Sequence, residues 1–175
     1  MFSKAAIEKY FNAEKAESLL FLGIGLAAVV AAVLFYFFLK TAFYKGAALP
    51  LLLMGLLVAL VGYTVYARSD ADRIRNVYAF DMNPTQLKEQ EIPRMETVMR
   101  NFKLYRYSEI VLAVTGLLLF VYFRNNSGQA FWCGLGVALF IMALMALGAD
   151  YFAERRGAMY LEGLNEFVRR GSRGA

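Results

Sequence analysis

The chain has 175 residues, 59% of them hydrophobic, with 19 Lys and Arg against 14 Asp and Glu and a net charge of +5. It contains no histidine and a single cysteine, Cys133, which excludes an intramolecular disulfide and argues against metal sites built on His and Cys clusters. The usual general base near neutral pH is missing as well, and the basic residues flank apolar runs instead of forming one stripe, which sets nucleic-acid binding aside.

In chain order, residues 1–17 come first. Phe2, Ala6, Tyr10 and Ala13 fall on one helical face with Ile7 and Phe11 beside them, opposed by Lys4, Glu8, Asn12 and Lys15. This pattern predicts an amphipathic helix lying in the membrane interface, apolar side down. Four apolar stretches follow: 19–39, 47–67, 110–123 and 131–152, with Asp150 the one charge among them. A hydrocarbon core about 30 Å thick needs about 20 apolar residues in a helix, and three of the four reach that length. The first run is about twice as long as a signal-peptide core, so it is expected to remain as an anchor. The whole reads as a single membrane domain: an all-α integral membrane protein, a four-transmembrane-helix bundle of two antiparallel hairpins.

Residues 68–107 form a helical segment between the hairpins. Asp70 to Phe80 prolongs the second helix, Asn83-Pro84 restarts a helix, and Pro93 interrupts or restarts it. Arg94 to Glu109 then leads into the third span. That span, 110–123, covers only about 21 Å as a helix and is expected to extend back to about residue 105. A tail, 153–175, follows the fourth span.

Lys and Arg sort sixteen to three between the N-terminal, middle and C-terminal segments and the two short loops, which hold only Lys40, Lys45 and Arg124. The positive-inside rule places both termini and the middle segment in the cytoplasm of a bacterial inner membrane, with the two loops outside. The two halves follow one pattern, a Glu-containing approach, a span, a short turn and a Gly-starting return (Gly46, Gly128); both run inside-out-inside, so any repeat is parallel. Small residues recur four apart at Gly23, Ala27 and Ala31, at Ala28 and Ala32, at Gly55 and Ala59, and at Gly134 and Ala138. They suit close helix packing, inside one bundle or across a homo-oligomer seam.

Two groups are candidate sites. Glu109 and Asp150 fall at similar depth on neighbouring antiparallel helices, with Arg106, Arg68, Tyr66 and Arg155 from the same level. Carboxylates near lipid are expected to pair, either as a salt-bridge cluster fixing helix ends or as a cation or proton site. Met95, Val98, Met99 and Phe102 step at helical spacing: they pack against the face carrying Ile74, Val77 and Tyr78, or they dock a partner protein. No catalytic constellation, cofactor motif or metal set is visible.

In size, span count and both-ends-inside orientation the chain resembles the small four-span bacterial immunity proteins that protect against pore-forming toxins. The resemblance is one of architecture, rests on no motif, and implies no functional residues. It implies a non-enzymatic protein that binds a partner such as a toxin within the lipid bilayer, as an immunity or accessory subunit. The alternative is a small oligomeric transporter or channel using Glu109 and Asp150 at its cytoplasmic mouth.

Overall fold

The computed structural model describes residues 2–171; Met1 and residues 172–175, including Arg173 of the basic tail, lie outside the described residues. Among the described residues the fold is all-helical, 95% helix without strands, and four of the helices are long and apolar enough to cross a membrane. Helix α1 spans Lys4–Leu34, α2 Ala42–Met82, α3 Pro84–Gln86, α4 Ile92–Phe123 and α5 Ala130–Gly171.

The breaks between helices have local causes. Helix α1 loosens into a π-turn at Phe35–Leu39 and stops where Lys40 adopts a left-handed conformation (φ 55°). Thr41 then caps α2, its hydroxyl accepting from the Tyr44 amide at 3.4 Å. The restart at Pro84 occurs as the sequence indicates, although the Asn83 side chain makes no cap. Pro93 is accommodated by a second π-turn, Leu87–Glu91, just ahead of α4. Because Pro93 has no amide hydrogen, a widened turn before it sacrifices little. That turn also carries Leu87 and Glu91 into the interior.

α1 packs against α2, α2 against α5, and α5 against α4. Phe2, Phe80 and Phe167 meet at one end of the molecule, the polar end, and the α1–α2 and α4–α5 turns lie at the other. At the turn end α2 and α5 run parallel and cross at Gly46 and Gly134. A Cβ on Gly46 would strike the Phe131 carbonyl, and one on Gly134 the Phe43 carbonyl. Each glycine thus sits against the residue three before the other, a reciprocal contact between α2 and α5.

Other seams follow the small residues. A Cβ on Gly25 would lie 2.5 Å from the Ala59 nitrogen and 2.6 Å from the Gly55 oxygen, and one on Gly116 2.6 Å from the Phe140 nitrogen. Ala28, Ala32, Gly55, Ala59, Gly134 and Ala138 are all buried inside the chain. Gly23 is different, with nothing within 4 Å of the Cβ position. Outward from these seams the helices present large aliphatic side chains, among them Leu53, Leu57 and Leu60 on α2 and Val111 and Leu118 on α4, each at least 60% exposed. Such a continuous apolar surface suits hydrocarbon, not water.

The polar end has its own core, where the structure departs from the sequence expectations. Residues 4–17 do not form a separate helix laid along an interface. They are the first turns of α1, continuous through Leu34. Their apolar face is buried, Ile7 at 0% and Phe11 at 1% exposure, against Ala79, Leu87, Met95, Tyr160 and Leu164. A protein surface that encloses those side chains buries more of each than a lipid interface contacting one side. Residues 153–171 likewise continue α5 as helix. Tyr10 and Tyr160 stack with ring centroids 4.1 Å apart, and Phe80 stacks on Phe167 at 4.7 Å.

Candidate functional site

The predicted polar cluster divides in two. Glu109 on α4 and Asp150 on α5 do adjoin each other, and Glu109 Oε2 is buried with no hydrogen-bond partner among the described residues. The basic residues assigned to them go elsewhere. Arg106 pairs with Glu154, and Arg68 lies 4.0 Å from Asp72 one turn along its own helix. The Tyr66 ring carries the Lys15 ammonium 5.0 Å from its centroid. Arg155 is exposed, and its neighbour Arg156 turns inward to Glu17. The difference is one of helical phase: Glu154 and Gly157 face α4, Arg156 and Tyr160 face α1, and Arg155 falls between on the outside.

The Met95–Phe102 stripe is not an open docking face. Met95 is fully buried, and Val98, Met99 and Phe102 are half-buried. The Met99 sulfur and Met95 methyl lie 3.3 and 3.5 Å from where a Gly157 Cβ would stand, so the stripe packs on α5. Of the expected packing partners on α2, Val77 is half-buried against the core cluster that contains Met95, while Ile74 and Tyr78 are exposed. Met95 and Met99 are thus held by the chain's own helix.

The strongest polar constellation lies deeper in the polar end, at residues the sequence reading did not single out. All four long helices contribute. From the turn before α4, Glu91 is 2% exposed and accepts two hydrogen bonds from Arg94, at 2.9 and 2.6 Å. From α1, Glu14 receives the Tyr10 hydroxyl at 3.4 Å. The Ser69 hydroxyl of α2 lies 3.4 Å from its other oxygen. Glu17 pairs with Arg156 of α5. The Arg94 guanidinium lies 5.7 Å from the Phe11 ring centroid and that of Arg156 5.9 Å from Tyr10. Three polar atoms, Arg94 Nη1, Arg156 Nε and the Tyr160 hydroxyl, are buried with no hydrogen-bonding partner among the described residues.

Burial sets the protonation here. It pushes the Tyr10 and Tyr160 phenols well above their usual range, so both stay protonated. Glu14 is also pushed up by burial, against the pull of Arg68, Arg94 and Arg156. Burial works against the Arg94 charge, but the hydrogen bonds it donates to Glu91, together with the charge of that carboxylate, more than offset it and raise Arg94 overall. The arrangement is suited to binding four helices together through paired charges and stacked rings. Among the described residues no group of three or more His, Cys, Asp or Glu is placed to hold a metal ion.

A sequence signal for this site existed. Tyr10, Glu14 and Glu17 continue the buried face of Ile7 at spacings of four and three, and Arg156 and Tyr160 do the same on α5. Following the inward face of each span beyond the apolar run would have reached them.

Comparison with protein families, with characterised proteins and with solved structures finds no match. Fold and site therefore define the protein at the level of class: an all-helical chain with four helices long and apolar enough to cross a membrane.

Proposed function

We propose that the chain is a small, non-enzymatic, multi-pass protein of a bacterial inner membrane that acts by binding a protein partner within the bilayer, as an immunity or accessory subunit. The observation that carries this reading is the outward face of α1. Ala16, Leu19, Leu20, Gly23, Ile24 and Ala27 line a shallow apolar groove, and Gly23 faces open space while Gly25, two residues on, is closed by α2. A notch of this kind lets a second helix approach closely, where van der Waals contact drives association in lipid. The test is protection: cells carrying the gene should survive a pore-forming toxin that kills cells lacking it. Gly23→Leu should remove protection at unchanged membrane abundance. Equal survival with and without the gene would refute the immunity role.

One observation favours a second reading, a small oligomeric transporter or channel. Glu109 and Asp150 adjoin each other, and one Glu109 oxygen is left unpartnered, an arrangement able to share a proton or cation. Proton or cation flux in proteoliposomes that Glu109→Gln abolishes would establish it; absence of flux in the unaltered protein would remove it.

A further inference from the structure

Where the helices leave their apolar stretches, the acidic side chains are matched by neighbours within the chain. Glu154 pairs with Arg106, Glu17 with Arg156, Asp70 with Lys15, and Glu109 adjoins Asp150. Two cations at the same level are left over. Lys103 on α4 and Arg155 on α5 are exposed and have no ion pair or hydrogen bond among the described residues. Arg100 stands one turn further out on α4 in the same condition.

Helical phase puts Lys103 and Arg155 on one side of the hairpin. Arg106–Glu154 and Glu109–Asp150 mark the line along which α4 and α5 face each other. Lys103 lies one turn from Arg106, rotated off that line. Arg155 follows Glu154 and is rotated off it in the matching sense, because the helices are antiparallel. In height, Arg155 is three residues beyond the end of the fourth apolar stretch and Lys103 two before the expected start of the third, each about 3–5 Å past the span limit. Tyr107, 70% exposed, and Tyr151, 58% exposed, stand just above them on the span side. The nearest exposed acids, Glu96 and Glu162, sit about 10 Å further from the spans. The result is a pair of unneutralised cations under two amphipathic rings, at the depth of lipid phosphates.

We propose that this face of the α4–α5 hairpin binds the headgroup of an anionic phospholipid, with Lys103 and Arg155 on the phosphate and Tyr107 and Tyr151 against the glycerol and upper acyl region. Charge complementarity selects the lipid. A zwitterionic headgroup brings its own cation to the same place, whereas an anionic one supplies the missing partner. The inference rests on the spans being membrane-embedded and is independent of what protein binds α1.

The full-length protein would be reconstituted in vesicles of equal phosphatidylglycerol and phosphatidylcholine. It would then be extracted in mild detergent and its retained lipids measured by mass spectrometry. Retained phosphatidylglycerol should exceed phosphatidylcholine. Lys103→Gln and Arg155→Gln should each lower that ratio by about fivefold, the equivalent of about 1 kcal/mol per cation near an anionic surface. The preference should also weaken with added salt. Lys45→Gln/Arg124→Gln, at the turn end, should leave the ratio unchanged. Equal retention of the two lipids, an unaltered ratio in Lys103→Gln/Arg155→Gln, or an equal fall in the turn-end variant would each overturn the proposal. Because Lys103 and Arg155 are exposed and unpaired among the described residues, their variants should keep the helical content and melting behaviour of the parent, which circular dichroism would verify.

Discussion

Replacing Glu91 with leucine strips Arg94 of both its strong hydrogen bonds, those at 2.9 and 2.6 Å, and leaves a guanidinium whose side chain is only 20% exposed. One of its nitrogens, Nη1, already lacks a partner, so the remaining charge would have little beyond the Met95 sulfur at 3.4 Å. Breaking a buried pair by removing one member costs about 3–5 kcal/mol, chiefly through the uncompensated charge. Arg94→Met should cost a similar amount by stranding the Glu91 carboxylate. The double variant, Glu91→Leu/Arg94→Met, removes both charges together and should recover most of the loss. Unfolding of the purified protein in detergent, followed by circular dichroism across a denaturant series, gives the four free energies of the cycle. Single losses below about 1 kcal/mol, or strictly additive ones, would refute the view that this pair is buried and mutually dependent.

Three further outcomes follow from the packing and the charges. Gly25→Leu should separate α1 from α2 and destabilise strongly, because its Cβ would start 2.5 Å from the Ala59 backbone; Gly23→Leu, facing open space, should leave the melting transition in place. Phe11→Ala should cost about 3–5 kcal/mol in the same denaturant assay, since the ring is 1% exposed, and a loss below 1 kcal/mol would contradict its place in the polar-end core. Glu14 has its folded pKa raised above the ordinary 4.5, so the folded state holds its proton more tightly than the unfolded state. Its contribution is fully present below pH 4.5 and is lost as pH rises through the raised value. Relative to Glu14→Gln, the parent should therefore gain stability on acidification from neutral pH toward 4.5; a difference that is flat with pH, or of opposite slope, would refute this. Asp70, lowered by its hydrogen bond from Lys15, works in the opposite sense, but only as pH falls below its usual 3.8.

Some features needed nothing beyond the residue order. Four helices of membrane-crossing length are dictated by unbroken apolar runs, whose backbone polar groups must be satisfied within the segment. The restart at Asn83-Pro84 and the disturbance at Pro93 follow from a missing amide hydrogen. The meeting of Glu109 with Asp150 follows from a short turn and equal depth.

Other features depended on three-dimensional neighbours. Whether Ile7, Tyr10 and Phe11 lie on lipid or inside protein is the same helical pattern in either case. The choice fell to Met95, Tyr160 and Leu164, which arrive from more than eighty residues away in sequence and enclose that face. Arg155 and Arg156 are equivalent in composition, and only the rotation of α5 sends one to Glu17 and the other outward. Gly23 and Gly25 are alike as letters, yet one is pressed against Ala59 and the other is open. Periodicity sets which side chains share a face; what that face meets depends on the rotation and order of the packed helices, which only the tertiary structure decides.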